Sequence, residues 1–354
     1  MKSNNLNVFQ GKSSILDFLD PDKSPPTPLV ELSSELNHFR SQNVRIFAKL
    51  HNMLPLGNIK MLAARNMLEK GFESGKLKNT NSLIEYSSGN TILSLAIIAR
   101  QMGIKNIKSL ISHEAFESRI NLLRFFGIQV GIHQEPTNPM KHDPKSGISK
   151  AEKLGQKKGW CCLGQYTDPA NPEAHERWTG PDVWKQTAGK LTIFCSALGT
   201  TGTMVGTSKY LKRKSKLITT IGVSRIGGPV PGVRSTSRLN LIHFDWQKSI
   251  DQLEEVGIEE SYTESLTLCR NGLLVGPSSG FTFAGLKKFL EKQITSNNLD
   301  KFKNKDGEII AVFACYDGPF QYLSEYFDYV DKKEFSPIES EELLVYKKGQ
   351  QSKI

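Results

Sequence analysis

No two cysteines in this 354-residue chain are spaced as a Cys-x-x-Cys pair. The five that occur (Cys161, Cys162, Cys195, Cys269 and Cys315) are scattered, so neither a zinc ribbon nor a disulfide framework is indicated. No uninterrupted apolar run reaches membrane-spanning length, and Met1-Lys2-Ser3-Asn4-Asn5-Leu6 carries no apolar signal core. A reducing cytoplasm is therefore the expected compartment, with no membrane partner. Gly-x-x-x-x-Gly-Lys-Ser/Thr is missing, and no Gly-x-Gly-x-x-Gly is followed by an acidic residue at the dinucleotide distance. A bound phosphate, if there is one, belongs to something other than ATP or a dinucleotide. The net charge of +10 favours anionic ligands, but the basic residues are dispersed, with short clusters at Lys212–Lys216 and Lys287-Lys288. No aromatic-interleaved basic stripe accompanies them, so no nucleic-acid partner is expected.

What the chain does contain is alternation. The runs 46–50, 82–86, 107–111, 129–133, 191–197, 217–223 and 309–315 are short, apolar and rich in β-branched residues. Helical patterns over 59–70, 91–101 and 116–126 separate several of them, which predicts an α/β architecture with parallel-type sheets. The length suits two lobes, each with its own core. We expect an N-terminal arm over 1–26, a first lobe over 27–175, a second over 176–330 and a tail over 331–354. Residues 136–150, rich in Pro, Lys and Gly, read as a surface loop.

Three loops fall at the C-terminal ends of predicted strands, where open parallel sheets bind ligands. They are Ser87-Ser88-Gly89-Asn90, Leu198 to Gly202, and Tyr316-Asp317-Gly318. The second continues as Gly199-Thr200-Thr201-Gly202-Thr203 into a helix from Met204, with a threonine as its cap. Backbone N–H groups and hydroxyls converging at a helix N-terminus suit a phosphate. The first loop opens a helix that is apolar nearly all round and should be buried, holding the loop rigid for a carboxylate.

Taken together, these segments resemble the fold-type II pyridoxal-phosphate enzymes, in particular the cysteine synthase and cystathionine β-synthase group. The resemblance spans about residues 27 to 320. It rests on Thr27-Pro28-Leu29-Val30, Pro55-Leu56-Gly57-Asn58-Ile59-Lys60, Glu85 to Thr91, Gln165 to Pro172 with His175 and Thr179-Gly180-Pro181, the loop 199–203, and Gly272 to Gly280. No single motif is decisive; their joint order is specific.

The resemblance implies pyridoxal 5'-phosphate as cofactor and roles for individual residues. Lys60 would hold the cofactor and later remove the substrate Cα proton. Gly199, Thr200, Thr201, Gly202 and Thr203 would hold its phosphate, and Asn90 would bond the ring hydroxyl. Ser278 would face the pyridine nitrogen, a neutral partner that favours loss of a β-leaving group. Ser87, Ser88, Thr91 and Gln165 would bind the substrate carboxylate. Arg234, in the Gly/Pro-rich loop 223–234, would grip a substrate phosphate, with Arg225 and Arg238 as competitors. No metal ligand set is implied.

The implied activity is β-replacement on an activated serine, O-phosphoserine or O-acetylserine, through an aminoacrylate intermediate in a homodimer. Alternatives are a diaminopropionate synthase, a serine/threonine dehydratase of the same fold, or a catalytically weakened cofactor-binding scaffold. The last is raised by departures from the family pattern: Met61-Leu62 after the lysine, Ile92 after the substrate-loop threonine, and Asp317-Gly318-Pro319-Phe320 near the end.

Overall fold

The computed structural model describes residues 7–113, 115–134, 143–240 and 242–344. Among the described residues ten strands form two sheets. They are β1 (Leu29–Glu31), β2 (Val44–Leu50), β3 (Ser82–Tyr86), β4 (Asn106–Ser112), β5 (Gln129–His133), β6 (Trp160–Cys162), β7 (Ile193–Ala197), β8 (Thr219–Arg225), β9 (Gln252–Val256) and β10 (Ile309–Cys315). The smaller sheet, β5-β4-β3-β6, is wholly parallel. The larger runs β1-β2-β10-β7-β8-β9 and is parallel apart from the antiparallel β1–β2 edge. Parallel strands buried on both faces read as unbroken apolar runs, and β10 (Ile-Ile-Ala-Val-Phe-Ala-Cys) and β7 (Ile-Phe-Cys-Ser-Ala) are buried throughout. Each sheet carries its own hydrophobic core, which gives the two lobes expected. The first two strands join the larger sheet although they precede the smaller one in the chain.

The helix Asn90–Gln101 is buried nearly all round, as its composition predicts. Its Ser94 hydroxyl donates to Asn58 Oδ1 (3.1 Å), tying it to the turn that precedes the helix Lys60–Glu73. Three details differ from the sequence reading. The helix after β7 begins at Gly202 rather than Met204, and the residue before it, Thr201, is left-handed (φ 68°) with no side-chain cap. The loop expected over 136–150 lies partly outside the described residues, and its end is helical from Gly147, because the Ser146 hydroxyl caps Ser149 N (3.2 Å). The N-terminal arm is packed down. Leu19 is 2% exposed within the smaller lobe's core, and Asp22 accepts hydrogen bonds from Trp178 Nε1 (2.8 Å) and Arg177.

Candidate active site

The loops after β3, β7 and β10 meet around one cavity of about 330 Å³. All thirteen residues nominated from sequence fall close to it, and all but Gly202 line it directly. Gly202 opens the 13-residue helix Gly202–Lys214 between two lining threonines, Thr201 and Thr203.

The loop 199–203 fits a phosphate. A side chain on Gly199 would collide with the backbone carbonyl of Gly232, and one on Gly202 with the Asn171 amide. Thr201 Oγ1 is buried with no hydrogen-bond partner, so a donor is left for a ligand. Thr200 Oγ1 accepts from Asn171 Nδ2 (3.1 Å). Thr203 Oγ1 pairs with His175 Nε2 (3.2 Å), whose Nδ1 pairs with Thr179 Oγ1 (2.9 Å). Burial, and then the nearby Lys60, push His175 down to about 3, so the ring is neutral and can both donate and accept in this chain. Gly199→Ala is therefore expected to shift the loop, lowering cofactor affinity by at least about 10-fold and the folding stability by about 1–3 kcal/mol. Absorbance titration with pyridoxal phosphate and thermal unfolding would check both.

Lys60 opens the helix Lys60–Glu73 and lines the cavity. It keeps some accessible surface, yet the walls strip water from its ammonium and push it down to about 8, with Asp317 opposing the shift. An amine that sheds its proton this readily can attack an aldehyde near neutral pH. Ser278, the second residue of the helix Pro277–Thr295, is 6% exposed and lines the cavity.

The expected carboxylate site is pre-arranged by its own members. Thr91 Oγ1 donates to Gln165 Oε1 (2.7 Å), and Gln165 Nε2 donates to Tyr86 O (2.8 Å). Gln165 O accepts from Asn171 Nδ2 (2.6 Å), so the same asparagine links this site to the phosphate loop. Ser87 and Ser88 line the cavity beside them, and Ser87 O accepts from Ser109 Oγ. Arg234 lines the cavity with its guanidinium 4.6 Å from the centre of the Tyr166 ring. Arg225 is braced on Gly227 O (2.7 Å) and Gly228 O (2.9 Å).

Two buried charged wall residues are absent from the sequence-derived set. Asp317 sits in the third loop flagged above, and Asn90 Nδ2 donates to its Oδ2 at 2.6 Å. Burial pushes the Asp317 carboxyl up, while Tyr322, Arg119, Asn90 and Lys60 hold it down. Arg119 comes from the helix Glu117–Phe125; nothing in its local sequence distinguishes it from a solvated helix arginine.

A desolvated lysine beside a loop that fits a phosphate is what pyridoxal phosphate requires of a protein. Residues 22–299 match the family described as pyridoxal-phosphate dependent enzyme. The chain belongs to that family, within its fold-type II cysteine synthase group, and its cofactor is pyridoxal 5'-phosphate. It is 31% identical over 300 residues to cysteine synthase B of Escherichia coli (strain K12), covering 84% of this chain and 92% of that one. Against cysteine synthase A of the same strain the identity is 30% over 304 residues, covering 80% and 90%. A crystal structure of a hydrogen sulfide-producing enzyme from Fusobacterium nucleatum shares the fold, with a TM-score of 0.71, 24% identity, and coverage of 86% of this chain and 97% of that one. Among the described residues no helix is long and apolar enough to cross a membrane, and no group of metal-ligating side chains is assembled.

Proposed function

We propose that the protein replaces the β-substituent of an activated serine and that O-phosphoserine is its donor. The similarity to cysteine synthases supports the reaction type. The single observation supporting the donor is Arg234, a cavity-lining guanidinium braced on Tyr166 and not engaged in an ion pair among the described residues. A guanidinium fork matches a phosphate dianion and has little to offer an acetyl ester.

In this reading Ser87, Ser88 and Thr91 take the donor's carboxylate, with Gln165 held against them by Tyr86 O. The phosphate loop anchors the cofactor, and Asn90, oriented by Asp317, meets the ring hydroxyl. When bound, the cofactor supplies the electron sink that acidifies the substrate's Cα proton. Lys60 removes that proton and later returns one, a task its lowered basicity suits. Ser278 gives the ring nitrogen a neutral partner, and Arg234 steadies the departing phosphate. The enzyme works as a homodimer in the cytoplasm.

Arg234→Ala tests the donor. A charge-assisted hydrogen bond is worth ~1.5–3 kcal/mol, so kcat/KM for O-phosphoserine should fall about 10- to 150-fold, mainly through KM. O-acetylserine should lose far less. Equal loss with both donors would make Arg234 a structural residue and remove the case for O-phosphoserine.

A further inference from the structure

One buried carboxyl group has no assigned role in the reaction. Glu85, in β3 just ahead of the loop 87–91, is 2% exposed and does not line the cavity. Its Oε2 accepts from Gly164 N (2.9 Å), and the Cys162 thiol lies 4.0 Å from the same oxygen. Among the described residues no lysine or arginine pairs with it, and its charge rests on the backbone N–H groups of Gly164, Gln165 and Tyr86. Burying a carboxylate without a cation is costly, and the chain this one holds is the chain that presents Gln165. Gln165 follows Gly164 directly, and its side chain bridges Thr91 Oγ1 (2.7 Å) and Tyr86 O (2.8 Å). Tyr86 in turn follows Glu85. One carboxylate therefore ties together two segments, 86–91 and 164–166, whose side chains line the cavity at the expected carboxylate site. The partners named are all donors, so a proton on this carboxyl would meet no acceptor and would displace a bond.

We propose that Glu85 is a positioning residue for the donor: ionised, it pins Gly164 and so holds Gln165 against Thr91 and Tyr86, and protonated, it lets that carboxylate site loosen. The proposal rests on the β-replacement reading, in which Ser87, Ser88, Thr91 and Gln165 take the donor's carboxylate. Burial is the main cause that pushes Glu85 up to about 7. The three N–H groups hold it down, and Glu152, on the helix Gly147–Gly155, adds to the rise. Cys162, on β6, faces it as a thiol that burial, then Glu85 and Glu152, push well up, so it stays protonated. Cys161 on the same strand is pushed up by burial too. On β4 the residue paired with Glu85 is the uncharged Ser109, with Lys108 opposite Ile84. Asp168, beyond Gly164, is engaged by Lys76 (3.5 Å). Glu85 is therefore the group in this cluster that changes charge near neutral pH. The site is formed above about pH 7 and loses its hold on a carboxylate as the pH falls below it.

The test uses the holoenzyme and propionate, a carboxylate that stays ionised across the range and has no other titrating group. Its inhibition constant is measured by competition with O-phosphoserine or O-acetylserine between pH 6 and pH 8, with release of the leaving group as the signal. A site governed by one group titrating at about 7 should bind propionate about 10-fold more weakly at pH 6 than at pH 8. Glu85→Gln keeps the shape and loses the charge. It should retain bound cofactor, show the weak constant at every pH, and raise KM for the donor about 10-fold at pH 8 with little change in kcat. Gln165→Ala should flatten the pH dependence as well, because Glu85 acts through Gln165, and adding Glu85→Gln to it should cost little more. A wild-type constant that does not move with pH would overturn the proposal, and so would an unchanged slope in Glu85→Gln. Should Glu85→Gln fail to fold, Gln165→Ala decides: a flat profile upholds the proposal and an unchanged slope overturns it. Propionate that competes at no pH, or a donor that releases no leaving group, would sink the β-replacement reading itself, and this proposal with it.

Discussion

Replacing Lys60 with alanine should leave a folded protein that no longer forms a borohydride-fixed cofactor adduct. Turnover should fall by about 10³-fold or more, since the same side chain serves as anchor and as base, and a positioned base alone contributes roughly 10²–10⁴. Peptide mapping of the reduced wild-type adduct should place the label on Lys60; a label on any other lysine would overturn the assignment. The depressed proton affinity gives a second signature. Attack on the cofactor's aldehyde needs the neutral amine, so the rate of loading onto the cofactor-free protein should rise with pH and level off above about 8. A rate still climbing tenfold per unit at pH 9–10 would mean that Lys60 behaves as an ordinary solvated lysine.

The second large effect is expected at Ser278. A hydroxyl cannot hold a pyridine nitrogen protonated, whereas a carboxylate can, and that difference changes how strongly the ring withdraws electrons. Ser278→Asp should retain bound cofactor yet suppress loss of the β-substituent by about 100-fold or more, because charge would rest in the ring instead of expelling the leaving group. Donor-dependent phosphate release, together with the visible spectrum, measures both halves of this claim. Unchanged release would remove the argument that links the neutral partner to the reaction type.

The fold was legible because its signals are local. Bounded β-branched runs such as Ile309–Cys315 and the continuous apolar helix Asn90–Gln101 can adopt few other structures, and their alternation dictates parallel sheets. The loop 199–203 was legible as a strand-to-helix connection for the same reason, since its glycines and threonines sit between an apolar run and a helical pattern. The helix start was misplaced by two residues, because Thr201 adopts a left-handed backbone that threonine rarely takes and no capping rule anticipates. Arg119 and the bonds of Asp317 were invisible for the opposite reason. Arg119 and Tyr322 are brought together only when the two lobes meet, and no spacing along the chain encodes a contact made across a cavity. The packing of Leu19 and Asp22 was hidden likewise, as a polar, proline-rich stretch gives no hint of the surface it will cover.

The position of β10 bears on how the protein is made. The last strand of the larger sheet lies between β2 and β7, so it completes a layer whose other members emerge from the ribosome much earlier. Until it arrives, β2 and β7 face an empty slot, with unpaired backbone on both sides and the apolar faces of a future core uncovered. The smaller sheet, contiguous from β3 to β6, can form in the meantime without it. Asp317 follows directly on β10, and the Tyr316 carbonyl bonds Ile59 N (2.8 Å) just before Lys60. Nascent chains stalled before residue 309 should therefore expose aggregation-prone strand edges and bind chaperones. The ability to retain the cofactor should appear only after β10 has been released and inserted, as a late and abrupt event in synthesis.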